Sequence, residues 1–373
     1  MTREFLKDKL SRTVVADNRE NLSIQPAFYR MQSAQDRSGL EELLLAKPGI
    51  LIYDQIHRQL QEWVKNNYPN KTLTASESET AISSHLGGTP ESEYGVWVYY
   101  PWSEKLVHLV DEQEFIDLRT CRNQYKITRE ERDLLSTKKI GIIGLSVGQT
   151  IAMTLAMERI CSELRLADFD TLDLGNLNRL RGGVQDLGLL KSVLAARAIL
   201  EIDPFIRIRC FSEGAHFDNM EEFLTGDGKL DLLVEETDSI DMKIFSRIMA
   251  RKHQIPVIMD TNDRGMIDIE RFDLIPDLPL LHGLIKNEDP HKLSDLSREE
   301  MIAHMAAIVG YENVSARMKI SAAEIGKTIT SWPQLASSVM LGGGMVADTC
   351  RRILLGQLTA SGRYYVDFEE IIR

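Results

Sequence analysis

The turn Gly144-Leu-Ser-Val-Gly148 joins an apolar run, KKIGIIGL, to a helix-like segment, and two chemistries claim it. As G-x-S-x-G between a strand and a helix it matches a nucleophile elbow, in which Ser146 would be the exposed nucleophile of a hydrolase. As a glycine-bearing turn that opens a helix, it would let backbone N–H groups and the helix dipole meet a phosphate. An elbow normally follows several strands of its sheet and precedes an acid and then a His, whereas this turn closes the first strand of its region. That position favours phosphate. The next strand ends Leu166-Ala-Asp-Phe-Asp170, which puts Asp168 and Asp170 about 20 residues past the turn, where an acid can accept hydrogen bonds from a ribose hydroxyl. This is generic nucleotide binding, with an NAD(P) or FAD site as the obvious competitor and a tight strand-to-helix turn without a ligand as the third reading.

Elements able to position these groups are written in the periodicity. From Lys138 onward, apolar strands alternate with amphipathic helices: helix Val147 to Ile160, strand from Glu163, helix Leu187 to Ile202, strand from Ile206, short helix Met220 to Leu224, strand from Asp231, helix Ser239 to Lys252, strand from Pro256. Such alternation implies βαβ units, so the expected fold is a doubly wound, Rossmann-like α/β domain with a mostly parallel sheet. Ahead of it, helical spacing at Gly39 to Ala46 and Leu51 to Val64, a polar connection from Asn67 to Glu93, and two strands at Val96 and Lys105 describe a small α+β segment. No chemistry attaches to that segment, which is expected to span residues 1–115, with the larger domain over 116–373.

Composition narrows the class. The 373 residues are 43% hydrophobic and 27% charged, which excludes disorder, collagen and a disulfide scaffold. With 44 Lys and Arg against 56 Asp and Glu, the net charge of -12 repels a phosphate backbone, so nucleic acid is not the expected partner. Four scattered cysteines without a C-x-x-C pair signal neither zinc nor disulfides. The apolar stretches Ile140 to Met157 and Thr328 to Ala347 carry glycines and polar residues, and the first residues interleave charges throughout. A cytoplasmic protein without a membrane span is expected.

The stretch Asp168-Phe-Asp-Thr-Leu-Asp-Leu-Gly-Asn-Leu-Asn-Arg179 resembles the D-x-D-x-V-x-x-x-N-L-x-R segment of the ThiF/MoeB/HesA family, the adenylating domains related to ubiquitin-activating enzymes. Further matches fall in order: Leu187-Gly-Leu-Leu-Lys191 for G-x-x-K, Ile202-Asp-Pro-Phe-Ile206 for I-N-P-x-I, and Thr237-Asp238 after an apolar strand for T-D-N/S. The resemblance implies Mg-ATP-dependent activation of a carboxylate as an acyl-adenylate, with release of pyrophosphate. Residue by residue, it implies that Gly144 and Gly148 approach the phosphates, Asp168 holds the ribose, and Asn176, Arg179 and Lys191 clamp phosphate oxygens. Ser146 and Asp170 join that nucleotide-binding set, and Asp238 would hold Mg²⁺. The implied substrates are a small acid or a peptide or protein C-terminus.

Departures from the family pattern shape the expectation. Two glycines of G-x-G-G-x-G are missing, zinc-binding C-x-x-C pairs are absent, and Met259 to Thr349 contains no Cys. Thioester transfer and zinc are therefore not expected. The segment Arg119-Thr-Cys-Arg122 resembles an R-Y-x-R-Q whose second Arg enters a partner's ATP site, so Arg122 and a homodimer are expected to complete the site. The rivals are a catalytically degenerate ThiF-like module that binds a nucleotide or protein, and an NAD- or FAD-dependent oxidoreductase.

Overall fold

The computed structural model describes residues 22–285, 289–293 and 296–372, and the chain divides into two compact units at Thr128/Arg129. In the first, β1 (Ala27–Tyr29), α1 (Ala34–Ala46), β2 (Leu51–Asp54), α2 (Ile56–Asn67), α3 (Ala75–Leu86), β3 (Val96–Tyr100), β4 (Lys105–Leu109) and α4 (Glu112–Thr120) follow one another. The sheet order is β1-β3-β4-β2, with β2 parallel to β4 and the other pairs antiparallel. Ile56, Leu60 and Val64 of α2 bury one stripe against Ile82 of α3 and Val110.

Two expectations for this unit are corrected. Residues 51–54 are not helical: they form an exposed edge strand, and the helix starts only at Ile56, whose N–H donates to Asp54 Oδ1 at 3.1 Å. The i, i+4 spacing of Ile56, Leu60 and Val64 is where the apolar period begins. The polar connection holds a helix, α3, because Thr74 and Glu77 cap its start reciprocally, Thr74 N–H donating to Glu77 Oε2 at 2.8 Å and Glu77 N–H to Thr74 Oγ1 at 3.3 Å. A cap, not a hydrophobic period, defines it.

The second unit is the expected doubly wound domain. Its elements are α5 (Arg129–Leu135), β5 (Lys139–Ile143), α6 (Leu145–Glu158), β6 (Glu163–Ala167), α7 (Lys191–Leu200), β7 (Arg207–Phe211), α8 (Met220–Thr225), β8 (Leu232–Glu235), α9 (Ile240–Lys252), β9 (Val257–Thr261) and β10 (Met266–Glu270). After these come α10 (Pro290–Leu293), α11 (Arg298–Val309), α12 (Ala316–Glu324), α13 (Ala336–Leu354), β11 (Gly362–Tyr365) and α14 (Phe368–Ile371).

Strand order is β11-β10-β9-β8-β5-β6-β7, with β5 to β9 parallel and β10 antiparallel to both its neighbours. The chain leaves β5 toward β6 on one side and later crosses to β8 on the other, so the carboxyl ends of β5 and β8 flank the crevice where such sheets bind ligands. The antiparallel strands β10 and β11 did not show in the sequence pattern. α7 starts at Lys191 rather than at Leu187, since residues 187–190 are still irregular.

Helix α13 lies against α6 and β9 through its small residues. A Cβ on Gly343 would stand 2.5 Å from Thr150 Cγ2, and one on Gly342 2.0 Å from Asp260 Oδ2, so both glycines are needed inside the unit. No helix among the described residues is long and apolar enough to cross a membrane.

Candidate functional site

Gly144 ends β5 with φ +85°, a conformation that side chains strain to adopt, and a Cβ there would lie 2.5 Å from the Glu236 carbonyl oxygen. The first βα turn is thereby pressed against the end of β8. Its N–H donates to Ala167 O at 2.9 Å, and Leu145 N–H donates to Asp168 Oδ2 at 2.6 Å. Gly144, at the N-cap, has no side chain with which to cap α6, and beyond Leu145 the N–H groups of the first turn have no intrahelical acceptors. Gly148 has a separate job: a Cβ there would meet Ile142 Cγ2 at 2.7 Å, so its absence lets α6 lie close on β5.

Asp168 is only 8% exposed, and its second oxygen accepts from Asp170 N–H at 2.8 Å. Burial raises its pKa, opposed by those two N–H donors and by Lys191. The Lys191 ammonium, 5% exposed at the start of α7, donates to Asp170 Oδ2 at 2.8 Å and to Ser146 Oγ at 3.1 Å. Ser146, Asp168, Asp170 and Lys191, more than 40 residues apart in sequence at the extremes, thus form one hydrogen-bonded group around the turn. A Ser whose hydroxyl faces an ammonium has no adjacent base, which argues against the nucleophile reading.

The following loop brings in Arg179. Gln149, buried on α6, pins that loop by accepting from Arg181 N–H at 2.8 Å and donating to Arg181 O at 3.0 Å. Arg179 donates to Asn178 Oδ1 at 2.9 Å, while its buried Nε has no acceptor. Burial lowers the Arg179 pKa and the charge of Asp238 opposes this, so these two matched residues share one electrostatic neighbourhood. Asn176 is engaged locally, its Oδ1 accepting from Asp173 N–H at 2.9 Å to close a short 3₁₀ turn. Asp238 is exposed and stands one residue before Ser239, the N-cap residue of α9, so its carboxylate does not occupy the cap position. Arg122 lies on the 3₁₀ turn Cys121–Asn123 of the first unit.

Sequence reasoning missed what lies beneath and beside this group. Glu235, fully buried at the end of β8, accepts from Lys243 at 3.1 Å and from Arg247, which also donates to Glu270 at 2.5 Å. Burial alone would raise the Glu235 pKa; Lys243 and Arg247 more than offset it and hold it below the usual range. Beside that neutralised cluster stand Glu236 and Asp260, with Asp260 N–H donating to Glu236 Oε1 at 2.8 Å. Burial, then the proximity of Asp260, keeps the Glu236 carboxyl well above the carboxylate range, and burial raises Asp260 as well. Acids closing apolar strands, as in Leu232-Leu-Val-Glu-Glu236 and Val257-Ile-Met-Asp260, were the available signal.

These acids open into a cavity of about 200 Å³ that runs from Val147 and Asp238 to an apolar wall including Met266, Met305, Ile308 and Trp332. Among the described residues no three His, Cys, Asp or Glu side chains gather as a protein-only metal site. Asp238 offers one exposed carboxylate, which suits a hard ion whose other ligands are phosphate oxygens and water.

Known proteins align with this architecture. An uncharacterized protein of Mycobacterium tuberculosis (strain CDC 1551 / Oshkosh) is 42% identical over 271 residues, 73% of this chain and 38% of its own length. The tRNA threonylcarbamoyladenosine dehydratase 2 of Saccharomyces cerevisiae is 30% identical over 153 residues, 40% of this chain and 34% of its own. These matches therefore cover less than half of either relative. Among solved structures, the E. coli tRNA N6-threonylcarbamoyladenosine dehydratase in complex with ATP matches with a TM-score of 0.46 at 16% identity, over 65% of this chain and 95% of that one. The ThiF family model matches residues 121–368, well over half of the chain, and the protein belongs to the ThiF family.

Proposed function

We propose that the protein is an ATP-dependent adenylating enzyme that activates a carboxylate as an acyl-adenylate. The observation that carries this reading is the buried Lys191 ammonium on Ser146 in the first turn of α6, together with Arg179, whose buried Nε has no acceptor and whose charge is felt by Asp238. Donors held in a water-poor crevice at the switch point suit a polyphosphate, whose negative charge grows on the departing pyrophosphate. Family membership supports the same reading, as do the names of relatives that are ubiquitin-like modifier-activating enzymes and threonylcarbamoyladenosine dehydratases.

In this reading the protein supplies position and charge rather than a covalent intermediate. The α6 turn and Lys191 hold phosphate oxygens, Asp168 fixes the turn itself, and Arg179 draws charge from the α- and β-phosphates. Mg²⁺ bound at Asp238 would neutralise the leaving pyrophosphate. The substrate carboxylate would enter through the neighbouring cavity and attack in line. Arg122 of a second copy is proposed to complete the site in a homodimer.

The test is pyrophosphate exchange into ATP with pooled acids and peptides, using the wild type and Asp238→Ala. Exchange in the wild type, lost in the variant while nucleotide affinity stays within a few-fold, is the expected outcome, because a ligand at the reacting phosphate stabilises the transition state more than the ground state. Unaltered exchange in Asp238→Ala removes the assigned role. A nucleotide bound without exchange under any acid favours the degenerate module instead.

A further inference from the structure

The cavity beside the nucleotide crevice holds an unusual set of unpaired atoms. Asp260 is 5% exposed, lines the cavity, and neither of its carboxylate oxygens has a hydrogen-bond partner. The nearby Thr261 N–H favours its charged form but falls short of hydrogen-bond geometry. Asn262 Oδ1 and Gln334 Oε1, on the same lining, are also buried without partners. All four atoms are acceptors. The adjacent cation, Lys243, is already committed to both oxygens of Glu235. Unpaired buried acceptors are costly, the more so when charged, so such a cluster fits a ligand that brings donors.

The other walls are apolar, with Met305 and Trp332 among them. A ligand matching both halves has an aliphatic stem and a cationic, donor-rich head. We infer that the acyl substrate is an acid that also carries an ammonium or guanidinium group, as an amino acid or peptide does, and that this group seats on Asp260 with Asn262 and Gln334 beside it. The inference rests on the adenylation reading for the carboxylate end only; the seat for the cation stands on the cavity itself. Gly342 is part of the seat, since any Cβ there would occupy the space of Asp260 Oδ2. Without three converging acids, the site is poorly built for a bare divalent ion.

Two measurements on the full chain test this. In calorimetric titration, hexylammonium chloride is compared with hexan-1-ol, which shares the stem and lacks the charge. Hexylammonium is expected to bind at least about tenfold more tightly, and Asp260→Asn, which keeps the side-chain volume against Gly342, is expected to abolish that preference. Equal binding of the two probes, or a preference that survives Asp260→Asn in a protein with an unchanged melting profile, overturns the seat. Butylguanidinium against butan-1-ol on the wild type decides the matter without any variant, in the same sense.

In pyrophosphate exchange, 6-aminohexanoate is expected to outperform hexanoate through a lower KM. Exchange equally good with hexanoate overturns the substrate class and leaves adenylation standing. Selective ammonium binding with no exchange from either acid leaves the seat standing and counts against adenylation.

Discussion

Leu145 donates its N–H to Asp168 across 2.6 Å, joining the first turn of α6 to the end of β6. The carboxylate that motif matching assigns to a ribose is therefore already bound at both oxygens, since Asp170 N–H takes the other. Asp168 acts first on the shape of the turn that opens α6. Replacing it by Ala leaves the buried Leu145 N–H without its acceptor, a loss of about 1–3 kcal/mol, and releases the more exposed Asp170 N–H to water. Asp168→Ala is expected to lower the urea midpoint and to weaken ATP binding together, whereas a ribose contact alone would change affinity and leave stability untouched. Equilibrium unfolding and nucleotide titration of the same preparation separate the two.

Gly144 tests the contact between the turn and β8. Its φ of +85° and the Glu236 carbonyl oxygen 2.5 Å from a hypothetical Cβ make any side chain costly. Gly144→Ala should destabilise the domain by more than about 2 kcal/mol, because the steric contact adds to the left-handed backbone cost of roughly 1–2 kcal/mol. Gly175, with nothing within 4 Å of its Cβ position and no positive φ, is the matched control. Gly175→Ala is expected to shift stability by under about 0.5 kcal/mol. Similar losses in both variants would show that neither the positive φ nor the Glu236 contact makes Gly144 special.

Much of this is legible in the sequence, and the rest is hidden for identifiable reasons. A parallel strand buried on both faces reads as an apolar run, so β5, β8 and β9 are plain in the sequence, as is the turn after β5, whereas β6, Glu163-Leu-Arg-Leu-Ala167, shows by its alternation. Lys191 was findable by motif spacing, though its burial against Ser146 and Asp170 was not, because both partners come from other elements. Asp260 was invisible as a site residue. Its exposure is set by α13 folding back over the sheet so that Gly342 meets it, a contact between residues 82 positions apart in the chain. Strand β10, Met266-Ile-Asp-Ile-Glu270, alternates as a strand solvated on one face would, yet Asp268 and Glu270 are buried in ion pairs with Arg363 and Arg247, partners remote enough in the chain that their burial does not show in the sequence.

His282 gives that buried network a pH signature. Its hydrogen bond to Asp268, at 2.9 Å, holds its pKa above the ordinary value, while burial pulls the other way. A group that binds its proton more tightly folded than unfolded stabilises the fold fully below its unfolded pKa of about 6.5. That contribution fades as pH rises through the higher folded-state value. His282→Gln is therefore expected to cost stability at pH 6 and progressively less toward pH 9. Urea midpoints of both proteins across this range give the check, and a gap that widens with pH contradicts the assignment.

The cysteines should be bystanders. Cys161 and Cys350 are buried, and burial raises both thiols; Cys210 is pushed up to about 12. Thiolates at such sites are scarce at neutral pH, so neither attack on an adenylate nor reaction with alkylating agents is favoured. Iodoacetamide on the native protein is expected to label Cys121 before the other three, and exchange activity is expected to survive replacement of each Cys by Ala. Loss of exchange in one folded single variant, with ATP binding intact, would establish a thiol step.

The proposed homodimer has its own test in Arg122 and Asp238. An arginine brought to a polyphosphate from a second copy would supply directed, charge-assisted hydrogen bonds without being desolvated until the site assembles. If Arg122 serves the neighbour's nucleotide while Asp238 serves its own, each variant alone, Arg122→Ala or Asp238→Ala, is inactive in every site. After random subunit exchange, half of the dimers contain one copy of each, and one site in every such dimer has both groups intact. Mixed samples should then recover about a quarter of wild-type exchange activity, as two-fold symmetry requires. Recovery must grow with the time allowed for subunit exchange and vanish when the copies are crosslinked before mixing. Demonstrated heterodimers without recovered activity, or a monomer by sedimentation at assay concentration, would place Arg122 outside the site while leaving Asp238, Arg179 and Lys191 to be judged on their own variants.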